Sequence, residues 1–448
     1  MSSGDKASVR QRELPLDEPG DEATTGTRGE DAPVEGTDLL ERVLEPDNLR
    51  RALHQVRRNQ GAPGIDGMTV DDLGGYLQAH WPTIRAALLA GTYVPQPVRR
   101  TEIPKPGGGT RNLGIPTVLD RFIEQALLQV LQEEWDSTFS ERSYGFRPQR
   151  SAHQAVGQAQ AYIQDGYMWV VDIDLEKCFD RVNHDVLMSR VRRRVQDRQV
   201  ATLIHRFLKA GVLTLEGSVE PTVEGTPQGG PLSPLLANLL LDELDKELEK
   251  RGHRFARYAA DANIYVRSRQ AGERVMASVT RLLERTLRLK VNEAKSAVDR
   301  LWKRKFLGFT FTPRRPNRRK VSEKALKAFK AKVRELTGRT RGRTIRQIVT
   351  ELRQLMLGWR AFFGFAEVRS PLRDLDKWIR RRLRSYHWKP WGRRRYRELR
   401  TRGVGRQLAW NTVKSAHGPW RLSQRPALAI ALPQRYFAAL GLPSLIED

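Results

Sequence analysis

Phe255-Ala256-Arg257-Tyr258-Ala259-Ala260-Asp261-Ala262-Asn263-Ile264-Tyr265-Val266 reads as strand, tight turn, strand, with apolar and aromatic residues on both sides of a small acidic tip. A carboxylate at such a tip is held by two strands and is well placed to bind a metal. Upstream, Met168-Trp169-Val170-Val171-Asp172-Ile173-Asp174-Leu175-Glu176-Lys177-Cys178-Phe179-Asp180 begins as an apolar strand and ends in a turn. Asp-x-Asp alone is common, but a buried-type strand that terminates in carboxylates needs a cation or solvent there. Between the two lies Gly225-Thr226-Pro227-Gln228-Gly229-Gly230-Pro231-Leu232-Ser233-Pro234, ahead of an apolar helical run over residues 235–241. Its paired glycines permit close backbone approach, and Gln228 offers an amide at that surface.

The three motifs resemble those of reverse transcriptases encoded by bacterial group II introns. The resemblance implies an α+β fold: right-hand polymerase fingers and palm, a helical thumb or maturase domain, and a small basic DNA-binding domain. It aligns Asp174 and Asp261 with metal-binding aspartates, adds the Leu175 carbonyl as a ligand, and implies two Mg²⁺ ions. Family members carry a further aspartate where this chain has Ala260. A methyl group has no oxygen to bridge two ions, so the polymerase fold is expected to survive and the polymerase reaction to be lost. This alanine inside complete motifs reads as deliberate inactivation or as natural loss, and the sequence leaves both open. Phe179 occupies the position beneath the nucleotide sugar, where a ring excludes a 2′-hydroxyl; plain core packing is the other reading. Gln228 and Gly229 are implied to position nucleotide and template, and Lys295 to lie near the leaving pyrophosphate. Asp180 and His184 are read as fixing the turn that follows rather than binding metal.

A formal net charge of +27 over 448 residues points to a polyanionic partner, nucleic acid before membrane. One cysteine, Cys178, excludes an internal disulfide framework and a multi-cysteine zinc site. No run of 18 uncharged apolar residues is present, so no membrane span or membrane partner is expected, and the chain reads as intracellular. Residues 1–37 read as a disordered acidic leader.

Residues 48–60 have helical spacing, residues 71–89 read as two short helices, and a cationic hairpin is expected over 98–116 around Gly107-Gly108-Gly109. The resemblance places Lys105, Arg111 and Arg147 in the fingers, facing template or the phosphates of the incoming nucleotide. Amphipathic helices are expected from 119 to 135 and from 273 to 289, and a short strand pair over 306–311. Residues 320–384 read as a helical bundle broken at Arg341-Gly342-Arg343, with Trp359 and Phe362 in its core. The expected domains are 38–315 (fingers and palm), 316–385 (thumb or maturase) and 386–448 (DNA-binding). Around that last boundary Arg381, Arg382, Arg384, Lys389, Arg393, Arg394 and Arg395 interleave with Trp388 and Trp391, a pattern suited to phosphate contact and base stacking.

The implied partners are group II intron RNA, target DNA, a template–primer duplex and deoxynucleotides, bound by a monomer within a ribonucleoprotein. The implied location is the bacterial cytoplasm, nucleoid-associated during retrohoming. The type implied is the short class C protein without a nuclease domain. Two other readings stay open: a domesticated relative in DNA repair or phage defence, and a non-catalytic RNA-binding maturase to which Ala260 is native.

Overall fold

The computed structural model describes residues 38–104, 110–214, 216–338 and 342–446, with Asp38 and Arg111 described by their backbone alone. The expectations for the 1–37 leader, Lys105, the Arg111 side chain and the break at Arg341 lie outside the described residues. Among these the strands are β1 (Val98–Pro104), β2 (Thr110–Ile115), β3 (Trp169–Ile173), β4 (Val212–Leu213), β5 (Val219–Glu220), β6 (Arg254–Tyr258), β7 (Asp261–Val266), β8 (Ala297–Arg300), β9 (Phe309–Phe311) and β10 (Arg319–Val321). The chain divides into two compact units.

The first unit comprises Met1–Ser151, Val171–Ile264 and Gln270–Ala297. Helix Pro46–Asn59 buries Leu49, Leu53 and Val56 at helical spacing and stops at Gln60, whose φ of 46° is left-handed. It packs on helix Val118–Trp135, which begins where the Thr117 hydroxyl accepts from the Asp120 N–H at 3.1 Å. Residues 73–89 form one helix rather than the two expected, because Pro82 is carried inside it. The cationic hairpin is antiparallel, from Arg99 opposite Ile115 to Pro104 opposite Thr110, in a sheet ordered β2-β1-β4-β5. A second sheet has β6, β7 and β3 as neighbours in that order. Val171, Ile173, Phe255, Ala256 and Ile264 bury the part of it that lies in this unit.

The second unit comprises Ala152–Val170, Tyr265–Arg269 and Val298–Asp448. The 306–311 segment yields one strand; β9 pairs with β10 across the intervening turn, and Phe306 only bridges back to Phe309. The expected boundary at 315/316 therefore falls inside a hairpin. Helices Glu323–Leu336, Ile345–Phe363 and Ser370–Trp388 follow. The Ser322 hydroxyl caps the first, and Thr344 with Gln347 forms a capping box on the second. Their buried faces carry Phe329 and Val333, Ile348, Leu352 and Met356, and Leu372, Leu375, Ile379 and Leu383. Trp359 packs between Phe329 and Phe363, each 4.6 Å away by ring centroid, and Phe362 lies 5.6 Å from Phe309. Helix Ser370–Trp388 runs unbroken through the expected 385/386 boundary.

Candidate active site

A two-residue turn, Ala259-Ala260, joins β6 to β7. Ala259 has a φ of 55°, left-handed for a residue with a Cβ. Gly145 presses against it: a Cβ there would sit 2.3 Å from the Ala259 nitrogen. Asp261 opens β7 and is exposed. Two residues on, the Asn263 amide nitrogen, oriented toward its acceptor, donates to Asp172 Oδ1 at 3.1 Å. β3 and β7 are neighbours, and residues two apart share a face. Asp261 therefore lies on the same face of β7 as that contact.

Asp174 follows β3. Its N–H donates to Ser296 Oγ at 3.0 Å, and its carbonyl accepts from the Asn292 N–H at 2.8 Å. Leu175 forms an antiparallel bridge with Val291. Lys295 Nζ stands 3.3 Å from Asp174 Oδ2, so a lysine ammonium is the cation beside this carboxylate. The Ala260 side chain contributes no oxygen, and no group of three or more His, Cys, Asp or Glu side chains among the described residues could hold a metal ion. The donor set does not fit the paired ions that the resemblance implies.

The Gly225–Pro234 segment closes on the turn after β3. Gly225 has a φ of 92°, and a Cβ there would meet the Asp180 carbonyl oxygen at 2.7 Å. The Thr226 N–H donates to the Phe179 carbonyl and the Gly225 N–H to that of Val182, both at 2.7 Å. His184 Nε2 is hydrogen-bonded to the Gly225 carbonyl at 2.7 Å, and Gln228 Nε2 donates to the Asp180 carboxylate. Asp180 and His184 thus hold two segments together. Gly229 packs on the Gly114 carbonyl of β2, and Gly230 on the Glu124 carboxyl; a Cβ at either would approach to 2.3 Å. Burial pushes the Glu124 carboxyl up to about 8 against the pull of the Leu232 N–H. Phe179, Gln228 and Gly229 line one cleft of about 490 Å³ with Arg121, Gln125 and Phe146. Its mix of ring and amide groups suits a planar polar ligand.

Arg147 is not in that lining. Its Nε donates to Asp136 Oδ1 at 2.8 Å, and Nη1 to the Ser140 and Ser143 carbonyls at 2.6 and 3.0 Å. The guanidinium is turned inward and ties the 136–147 loop to itself.

Sequence reasoning missed Arg257, which is 1% exposed in β6. It donates to Asp245 Oδ1 at 2.8 Å, Asn238 Oδ1 at 3.0 Å, the Ala259 carbonyl at 3.0 Å and Ser143 Oγ at 2.8 Å. The available signal was a charge set among Phe255, Ala256 and Tyr258 in the strand.

In the second unit the expected basic and aromatic residues separate into two environments. Trp388 and Trp391 are buried, with Arg395 over the first ring at 5.0 Å and Arg402 over the second at 5.2 Å. Arg384 Nε donates to the Leu432 carbonyl at 3.0 Å, and Arg382 Nε to Thr337 Oγ1 at 2.6 Å. Lys389, Arg393 and Arg394 are exposed. Arg381 lies over the Trp420 ring at 3.7 Å, and that ring is 38% exposed. Trp388 and Trp391, expected to stack on nucleic acid, are both buried, whereas Trp420 is part-exposed with Arg381 over its ring.

A family model described as reverse transcriptase (RNA-dependent DNA polymerase) matches residues 103–311. One described as group II intron, maturase-specific domain matches residues 326–403. Protein YkfC of Escherichia coli is 38% identical over 39% of this chain and 47% of its own length. The group II intron-encoded protein LtrA of Lactococcus lactis is 36% identical over 40% of this chain and 29% of its own length. The chain thus spans under half the length of these curated relatives. Among solved structures, a partial Cas6-RT-Cas1–Cas2 complex matches 55% of this chain and 42% of that chain at 24% identity, with a TM-score of 0.36.

Proposed function

From a chain that belongs to the reverse transcriptase family and carries a group II intron maturase-specific domain, we propose a protein that binds its intron RNA, assists its splicing and serves retrohoming, and in which the polymerase step has been lost. Ala260 carries the second half of this reading. What supports it is a tip whose backbone is in place but which carries one carboxylate, Asp261, while Asp174 at the end of β3 stands beside Lys295. Divalent ions supply the charge neutralisation for nucleotidyl transfer in this family, and here the ligand set for them is incomplete. Gln228 and Gly229 shape the nucleotide cleft, Phe179 lines it, and the basic second unit contacts RNA and target DNA through phosphates. The template–primer duplex and deoxynucleotides are partners of the parental reaction. Splicing help needs none of the missing chemistry, since the RNA supplies its own. The short class C type, with a cytoplasmic location and nucleoid association during retrohoming, completes the reading. Among the described residues no helix is long and apolar enough to cross a membrane.

The test compares affinity for the cognate intron and for an unrelated RNA across salt concentrations, alongside primer extension. Tighter, strongly salt-dependent binding to the intron without extension is expected. Equal weak binding to both RNAs removes the maturase reading, and robust extension by the unaltered chain removes the loss. A protein that binds intron RNA yet gains no extension with Ala260→Asp favours instead a maturase without a catalytic past.

A further inference from the structure

Arg257 has five N–H donors, and all five meet acceptors. Nε reaches both Asp245 oxygens at 2.8 and 3.0 Å. Nη1 serves Asn238 Oδ1 and the Ala259 carbonyl, each at 3.0 Å. Nη2 serves Ser143 Oγ at 2.8 Å and Asp245 Oδ2 at 2.5 Å. Ser143, Asn238 and Asp245 are each at most 1% exposed. Only a guanidinium fills this set, since a lysine ammonium has three donors and no fork.

The acceptors come from three separate pieces of the first unit. Asn238 and Asp245 stand on helix Ser233–Lys250, which starts in the glycine motif that builds the cleft. Ser143 belongs to the loop that Arg147 closes, and its neighbours register it on β6: the Arg257 N–H donates to the Arg142 carbonyl and the Tyr144 N–H to the Arg257 carbonyl, both at 2.9 Å. Asn238 Nδ2 also holds the Gly145 carbonyl at 2.8 Å, and Gly145 abuts Ala259. The third piece is the turn itself. A buried ion pair is a poor device for stability, because packed apolar residues of equal volume do as well or better. It is a good device for fixing one geometry. Ala259 sits at a φ that persists only where its surroundings over-determine it, and the Arg257 contact to its carbonyl is part of that constraint.

We propose that Arg257 is the positioning residue of the catalytic turn: it locks the backbone from which residues 260 and 261 project to the cleft-forming helix and to the 143–145 loop, whether or not the carboxylate set is complete. This rests on the reading of the turn as a former polymerase centre. It explains why losing one carboxylate leaves the tip in shape.

The experiment compares Arg257→Lys and the paired Arg257→Met/Asp245→Leu change, which removes both buried charges together, in the unaltered chain and in the Ala260→Asp form. Deuterium exchange of the peptide covering 255–266 reads the turn directly. Exchange there is expected to rise about tenfold in the paired variant while β3 and helix Val118–Trp135 stay protected. In the Ala260→Asp form kcat is expected to fall about 30-fold with KM for deoxynucleotide changing less than about threefold, and Arg257→Lys to fall between. Unchanged exchange and unchanged kcat in the paired variant overturn the proposal. So does loss of protection throughout the unit with a parallel loss of RNA affinity, which marks a fold-wide structural role. If Ala260→Asp alone yields no extension, the polymerase reading has failed, and the exchange arm still decides the positioning of the turn.

Discussion

In the first unit Arg257 is 1% exposed and spends every donor on carboxylate, amide, hydroxyl and carbonyl acceptors. In the second, Arg381 lies 3.7 Å from the Trp420 ring with its other contacts to Ser423 Oγ and the Trp420 carbonyl, while Arg393 and Arg394 stand exposed. The same side chain fixes geometry where its charge is cancelled and keeps a charge for a partner where rings and neutral acceptors hold it. The first use demands particular residues at particular positions. The second tolerates many arrangements, because phosphates are read as charge.

The contrast is tested hardest at the tip. Ala260→Asp is expected to bring primer extension up by at least about three orders of magnitude, and Asp174→Ala in that form to abolish it, at unchanged RNA affinity. Extension that ignores Asp174 would mean that this face is not the reacting one. A smaller effect separates the tryptophans. Trp388→Ala empties a buried site and is expected to cost about 3–5 kcal/mol in unfolding free energy. If it weakens RNA binding without lowering the melting temperature, its ring is a contact after all. Glu124 tests what burial does to a first-unit charge without a full set of partners. Its carboxyl titrates near 8 when folded and at an ordinary 4.5 when unfolded. Only the unfolded form releases a proton between those values, so stability is fully present below 4.5 and falls by up to about 1.4 kcal/mol per pH unit toward 8. Denaturant unfolding from pH 5 to 8 should show that slope, and Glu124→Gln should flatten it. The smallest change is at the surface: Trp420→Ala should lose about 1 kcal/mol of affinity for single-stranded RNA, read by titration, with the melting temperature held.

The hairpin was legible because a period of two, a small turn and a tip carboxylate leave few other readings of residues 255–266. The glycine motif was legible for a related reason: Gly229 and Gly230 stand where another residue would strike Gly114 or Glu124. Arg257 was not, since a charge in a strand reads as an outward-facing position until its acceptors, drawn from residues 143, 238, 245 and 259, are assembled by the fold. Arg147 misled in the opposite sense; a cation in a basic segment suggests a phosphate, yet Asp136 and the Ser140 and Ser143 carbonyls consume it. Trp388 and Trp391 show why basic-aromatic runs are ambiguous: a ring stacked by Arg395 or Arg402 has the same local composition buried as exposed. Residues 71–89, expected as two short helices, form one from Leu73 to Leu89 with Pro82 inside it, where Leu77, Trp81 and Ile84 are buried.

The unbroken helix Ser370–Trp388 has a consequence for how such proteins can be recombined. Its last turn carries Tyr386 and Trp388, both buried, on the far side of residue 385. Earlier along the same rod, Asp376 accepts from the Leu445 N–H at 3.1 Å and from the Ser444 hydroxyl at 2.8 Å. A crossover at 385 would leave one parent's rod without its terminal anchor and the other parent's tail without its clasp. The helical bundle and the segment after it therefore exchange as one parcel, and a graft onto this chain has to carry both or neither.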